Sequence, residues 1–192
     1  MAATKPRTVP FRRKRDYLTH YGKRLRLLLS RKPRLAVRIT NTRLIAQIIG
    51  FGEKGDKVLL ALDSSALLKL GWKYSLKNIP AAYLSGMLLA KKATSKGLTA
   101  AVLDTGSRSL HGKISAFLSG AVAGGLKIPH GDSKLFPPEE KLLGKHVENY
   151  AGQLRQKPAL YQRHFAQYLK NKAEPDTMSK HVEEIKKMIQ KQ

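Results

Sequence analysis

An α/β fold built on a mixed sheet is what this sequence predicts. The sheet starts with an antiparallel three-strand meander in the order β-β-β-α-β-α, preceded by a basic N-terminal arm and followed by a helical C-terminal extension. Three observations carry that expectation. Strand-like apolar runs, the first alternating at period two, occupy residues 34–62; the spacing changes to the helical 3.6-residue repeat after Pro80; and positive charge crowds the first forty residues. The expected organisation is a basic arm and helix over 1–33, an α/β core over 34–135 and a helical extension over 136–192.

The arm comes first. Residues 1–40 hold 13 Lys/Arg and one acid, so half of the formal net charge of +24 sits in about a fifth of the chain. Residues 1–10 show no apolar periodicity, whereas Leu18, Tyr21, Leu25 and Leu28 recur at helical spacing behind Asp16, an N-cap candidate. A helix over Asp16–Ser30 follows, ended by Pro33, with one stripe on the core and its basic flanks free for phosphates.

Leu35, Val37 and Ile39 alternate with Ala36, Arg38 and Thr40, which reads as a strand with one solvated face. Asn41-Thr42 turns the chain into Leu44–Ile49, an apolar run suited to a strand covered on both faces. A longer turn over Gly50–Gly55 leads to a third strand, Lys57–Leu62. Pro80 opens a largely buried helix to about Lys96, closed by Gly97. Ala100–Leu103 forms a short fourth strand, and Ile114, Phe117, Leu118, Ala121, Val122 and Gly125 mark one face of a second core helix. Beyond Pro137-Pro138 three amphipathic stripes follow: Leu143 to Leu154, Tyr161 to Leu169, and Met178 to Ile189. Helices this short do not hold alone, so they should dock on the α/β body or on a partner.

Composition narrows the function. With 37 Lys+Arg against 13 Asp+Glu and a pI near 10.4, the chain attracts a polyanion, and 42% hydrophobic residues suffice for one sizeable core. The absence of cysteine excludes disulfides, thiolate zinc sites and cysteine nucleophiles. The longest runs without a charged side chain, Asn78–Ala90 and Ile114–Leu126, are 13 residues each, short of the roughly 20 a membrane helix needs. The Arg-rich start lacks the serines of an organelle transit peptide and carries Pro6 and Pro10, so no cleaved presequence is expected.

A sheet opening on a three-strand meander is the architecture of ribonuclease-H-like and translational-machinery folds, so metal-dependent nucleolysis must be weighed. That chemistry needs converging carboxylates, one on the first strand. Here the first strand offers Arg34 and Arg38, while Asp56, Asp63 and Asp104 fall at strand ends and read as turn and cap residues. Gly106–Lys113 is placed like a phosphate loop, but five residues separate its glycines and Ile114 follows the lysine, which does not suit nucleotide hydrolysis. Its backbone amides with Arg108 and Lys113 suit an RNA phosphate; a plain strand-to-helix connection is the alternative. The six histidines are scattered without i, i+4 pairing, so no metal, cofactor or small-molecule substrate is expected, and no enzyme.

The arm is the distinctive feature. Arg7, Arg12, Arg13, Lys14, Arg15, Lys23, Arg24, Arg26, Arg31, Lys32 and Arg34 repel one another with only Asp16 to relieve them. Counterion release on RNA would convert that repulsion into affinity, and Phe11 and Tyr17 can stack on unpaired bases, Tyr21 less so because it shares the apolar stripe. A nuclear-import signal or a DNA-binding arm is the competing reading. Trp72 is a buried anchor or an RNA platform.

The residues also carry a resemblance. Phe11–Tyr17, Lys23-Arg24-Leu25, Lys32–Arg38, Ile45–Ile49, Lys54-Gly55-Asp56, Gly71-Trp72-Lys73, Asn78–Leu84, Ala101–Asp104, Gly120-Ala121-Val122, Gly125-Leu126 and Ile128-Pro129-His130 run in family order over about residues 11–151. They resemble the large-subunit ribosomal protein L-eighteen family, in its archaeal form, which is related to the longer eukaryotic protein L-five. The resemblance implies a non-enzymatic, cytoplasmic constituent of the large ribosomal subunit that binds 5S ribosomal RNA and anchors it to large-subunit RNA in the central protuberance. By similarity the arm and the loops at one sheet edge grip RNA, which adds Arg38, Arg43, Lys54 and Lys73 to the candidates. The implied neighbours are the bacterial-type L-five and the archaeal L-twenty-one-e type proteins. Tyr74–Lys77 replaces an expected glycine-rich segment, and Thr105–Arg108 is unusual for the family. A non-ribosomal nucleic-acid-binding protein and a ribonuclease-H-like nuclease are the alternatives.

Overall fold

The computed structural model describes residues 8–106, 108–110, 112–132 and 135–191. Strands β1 (Arg34–Ile39), β2 (Leu44–Gly52), β3 (Gly55–Asp63) and β4 (Val102–Asp104) form one sheet in the order β3-β2-β1-β4. The first three pair antiparallel, and β4 joins β1 in parallel after a helical crossover, so the expected mixed α/β sheet is present. Thr40 and Arg43 close the first hairpin around Asn41-Thr42, as expected. The second hairpin is tighter than expected, because β2 runs on to pair Gly52 with Gly55 and leaves only Glu53-Lys54 as the turn.

One face of the sheet is dry. Leu35, Val37, Leu44, Ala46, Ile48, Leu60 and Leu62 pack against helices α3 (Ile79–Ser95) and α4 (Lys113–Ala123), whose inner residues are fully buried. Helix α3 starts where Asn78 Oδ1 accepts the Ala81 N–H, with Pro80 in the first turn. The two helices touch backbone to backbone. A Cβ at Gly120 would lie 2.0 Å from the Tyr83 carbonyl oxygen, and one at Gly86 2.1 Å from that of Phe117, so only glycine permits the crossing.

Between β3 and α3, Ser64–Leu70 forms a 3-10 helix capped by Asp63, which the periodicity leaves unassigned. It delivers Trp72 into the core, where the ring is 1% exposed, donates Nε1–H to the Ser75 carbonyl and stacks on His181. Trp72 is the buried anchor.

Gly144, at φ 88°, breaks the first C-terminal stripe into α5 (Glu139–Leu143) and α6 (Lys145–Leu154). Helices α7 (Pro158–Lys170) and α8 (Met178–Lys191) follow. Met178, Val182, Ile185 and Ile189 of α8 are 0% exposed within the main core cluster, so this helix docks on the α/β body. Helix α7 buries only Phe165.

The arm departs most from expectation. The single helix expected over Asp16–Ser30 is two: a turn α1 (Arg12–Arg15) and α2 (Tyr21–Leu29). Asp16 is not the N-cap, because the chain reverses first: Tyr17 takes φ 52° and the amides of Leu18 and Thr19 both return to the Arg13 carbonyl. His20 caps α2 instead, its Nδ1 accepting the Lys23 N–H. The proposed stripe is correspondingly looser, with Leu18 and Leu25 each 61% exposed and only Tyr21 and Leu28 half-buried. Helix α2 lies across the β1 end of the outer sheet face. The face of β1 expected to be solvated is therefore covered at Arg34 and Ala36, 4% and 5% exposed, whereas the outer residues of β2, Ile45, Gln47 and Ile49, expected to be covered, are only half-buried.

Candidate nucleic-acid interface

Two layers of basic residues make up the outer face, and they do different work. The inner layer fastens the arm. Arg34 points to the outer face by strand alternation and is held between two carboxylates, Nη1 donating to Asp104 Oδ2 and Nη2 to Asp56 Oδ2, both at 2.8 Å. Asp56 also accepts from Arg24 Nη2 at 2.9 Å, and Asp104 Oδ1 accepts the Gly106 N–H. Lys23 Nζ donates to Thr105 Oγ1 and the Gly106 carbonyl. Helix α2 is thereby joined by charge-assisted bonds to β3 and to the segment after β4, and through the shared Asp56 it meets Arg34 of β1.

This arrangement corrects two readings. Arg34 is not available to a phosphate: it is buried and both terminal nitrogens are occupied. Asp56 and Asp104 are not simply turn and cap residues, and they face a guanidinium instead of converging on a shared point. Among the described residues no group of three or more His, Asp or Glu side chains is placed to hold a metal ion. Asp63 does cap the 3-10 helix and pairs with Arg43 at 3.0 Å. Burial pushes its carboxyl up, but the Ser65 amide and Arg43 outweigh that, leaving it below its ordinary 3.8.

The outer layer faces solvent. Arg12, Arg13, Lys14 and Arg15 are all exposed on α1, with, among the described residues, a single long contact to an acid, Arg12 to Asp16 at 3.8 Å. Phe11 and Tyr17 flank them at 73% and 90% exposed. Lys14, Arg15 and Tyr17 share a groove with Tyr21, and Arg26, Arg31 and Lys32 continue the exposed basic surface. Arg38 is exposed at the rim, its Nη1 donating to the carbonyls of Val37 and Asp104.

Other candidates stand apart. Arg43 and Lys54 lie in the turns at opposite ends of β2, separated by about 30 Å of strand. Lys73 is exposed beside the C-terminal helices, its carbonyl accepting from Asn171 Nδ2. Arg108 and Lys113 line a cleft with Ile39 and Ile79 before α4. Arg7, Ser107 and His111 fall outside the described residues. The sequence reading missed His20 as a participant, since a histidine cap leaves no spacing signature, and it missed the fastening role of Asp56 and Asp104, which are distant from Arg34 in sequence.

Residues 6–105, just over half of the chain, match the family described as "Ribosomal large subunit proteins 60S L5, and 50S L18". The chain is also 45% identical over 183 residues to the "Large ribosomal subunit protein uL18" of Methanococcus maripaludis, covering 94% of each protein. The family match takes in the arm and the whole four-stranded sheet, the part that carries both basic layers. The chain belongs to this family and is a structural protein of the large ribosomal subunit.

Proposed function

We propose that the protein binds 5S ribosomal RNA and anchors it to the large-subunit RNA in the central protuberance. The observation that carries this reading is the charge of Arg12–Arg15, relieved among the described residues only by the 3.8 Å contact of Arg12 with Asp16, between two exposed aromatic rings, on an arm whose nearest strand carboxylates, Asp56 and Asp104, are already engaged by Arg34. Phosphates would complete the charge, and unpaired bases would find Phe11 and Tyr17. In this reading Arg12, Arg13, Lys14, Arg15, Arg26, Arg31, Lys32 and Arg38 meet RNA first, with Arg43, Lys54, Lys73, Arg108, Lys113 and Arg7 as secondary contacts. The C-terminal helices keep Tyr150, Leu160, Leu169 and Met188 at 38–45% exposed, a surface suited to neighbouring ribosomal proteins of the bacterial-type L-five or archaeal L-twenty-one-e type.

The experiment is RNA binding across a salt series with 5S RNA and duplex DNA as competitors, together with sequencing of the RNA that co-purifies at moderate salt. Log affinity for 5S RNA should fall with log salt by roughly 0.7–0.9 per phosphate neutralised, and DNA should compete poorly. Removing residues 1–15 should flatten the slope. A salt-independent affinity, or equal preference for duplex DNA, would overturn the proposal.

A further inference from the structure

Beneath the arm lies a cavity of about 170 Å³ between α2 and the outer face of β1. At ~30 Å³ per water it has room for about five waters, or for one tetrahedral oxyanion with water to spare. Its donors come from Arg13, His20, Lys23 and Arg38, beside Arg24 and Arg34, whose guanidinium groups are held by its carboxylates, Asp56 and Asp104. Each carboxylate is already committed to a guanidinium, so the lining keeps an excess of positive charge without an acceptor to match it.

The unused donors are specific. Arg34 is not among them: it is 4% exposed, both terminal nitrogens are bonded, and its Nε, though without a partner, is fully enclosed. Among the described residues Arg38 bonds through Nη1 alone, leaving Nη2 close above Gly106, 3.4 Å from where a Cβ would stand. Among the described residues Arg13 donates only through Nε, to Thr19. His20 accepts the Lys23 amide at Nδ1, so its neutral ring carries the proton on Nε2. A cavity whose carboxylates are taken up by Arg24 and Arg34, and whose lining keeps the remaining donors of Arg13, His20 and Arg38, is shaped for an acceptor-only ligand.

We propose that this cavity is a built site for one phosphate group. Resting on the RNA-binding reading above, its occupant is a backbone phosphate drawn in beneath the arm; free inorganic phosphate offers the same chemistry. The site differs from the solvent-facing Arg12, Lys14 and Arg15 in that it would hold a single group from several directions, fixing where the RNA strand crosses the sheet and locking α2 to β1.

The test uses the full chain free of RNA. Thermal unfolding is compared in sodium phosphate and sodium chloride at equal ionic strength, and amide resonances of Lys23 and Gly106 are followed as phosphate is added. Phosphate should raise the midpoint and move both resonances. Arg38→Gln, which removes an exposed side chain and leaves the core intact, should weaken that response about tenfold. Lys187→Gln, losing the same charge on α8, should leave it unchanged. With 5S RNA, Arg38→Gln should lower the salt slope by about one phosphate, 0.7–0.9. A phosphate response with an unaltered RNA slope would overturn the RNA backbone as the occupant and leave free phosphate. Equal midpoints in both salts with unmoved resonances would overturn the site itself, while the unmutated chain's salt slope judges the RNA reading separately.

Discussion

Gly120→Ala is the substitution on which sequence propensity and tertiary packing disagree in sign. Within a helix, alanine is favoured over glycine by about 1 kcal/mol, so propensity alone forecasts a more stable protein. The added Cβ, however, would sit 2.0 Å from the Tyr83 carbonyl oxygen and 2.8 Å from its carbon. An ordinary carbon–oxygen contact is about 3.3–3.6 Å, so α3 and α4 must separate by more than an ångström at a point where the obstacle is backbone and cannot swing aside. That separation loosens Leu84, Met87, Phe117 and Leu118, all within 1% of full burial. Overpacking of this kind costs about 3 kcal/mol, the upper end of the usual range, which leaves a net loss near 2 kcal/mol. At roughly 2–4 °C per kcal/mol for a chain of this size, the midpoint should fall by about 4–8 °C. Urea and thermal unfolding followed by circular dichroism measure the free energy and the midpoint, with Gly152→Ala as the control, since a Cβ there meets nothing within 4 Å and that variant should hold or gain up to about 1 kcal/mol. If Gly120→Ala proves as stable as the parent, the helices do not cross in backbone contact and the described core is wrong.

Three further outcomes are expected. Asp104→Asn should cost about 2 kcal/mol, below the ~3–5 kcal/mol of a fully orphaned buried charge because Arg34 keeps Asp56; a neutral result by urea unfolding would deny the triad its fastening role. Asp63 titrates below 3.8 in the folded protein, so its contribution is complete above about pH 4 and is lost as pH falls through the lowered value; carboxyl-carbon NMR should place its midpoint under that of an unfolded peptide, and Asp63→Asn should flatten this part of the acid limb. Truncation after residue 135 removes His181 from the Trp72 ring and α8 from the core, so tryptophan emission should shift to the red; unchanged emission would mean that α8 does not cover Trp72.

Short-range pattern places the local elements of this chain but not its interface. The strand periodicities over 34–62, the proline and asparagine that open α3, and the apolar face of α4 are short-range signals, and each element forms where its own residues place it. The arm shows the limit of that logic. Its apolar spacing describes one helix, yet Tyr17 reverses the chain and His20 restarts it, because the arm is fastened by Lys23 and Arg24 to acceptors on β3 and after β4 and not by the burial of its stripe.

The sequence by itself determined the charge, the order of elements, the family and the exposed basic run, since these follow from composition and from neighbours within a few residues. Only the tertiary structure decided which arginines remain free. Arg34 and Arg38 are alike in the strand pattern, two residues from the adjacent Ala36 on either side, yet one is enclosed by Asp56 and Asp104 and the other reaches the rim. The physical reason is that ion pairing depends on distance in space, and the partners of Arg34 stand 22 and 70 residues along the chain.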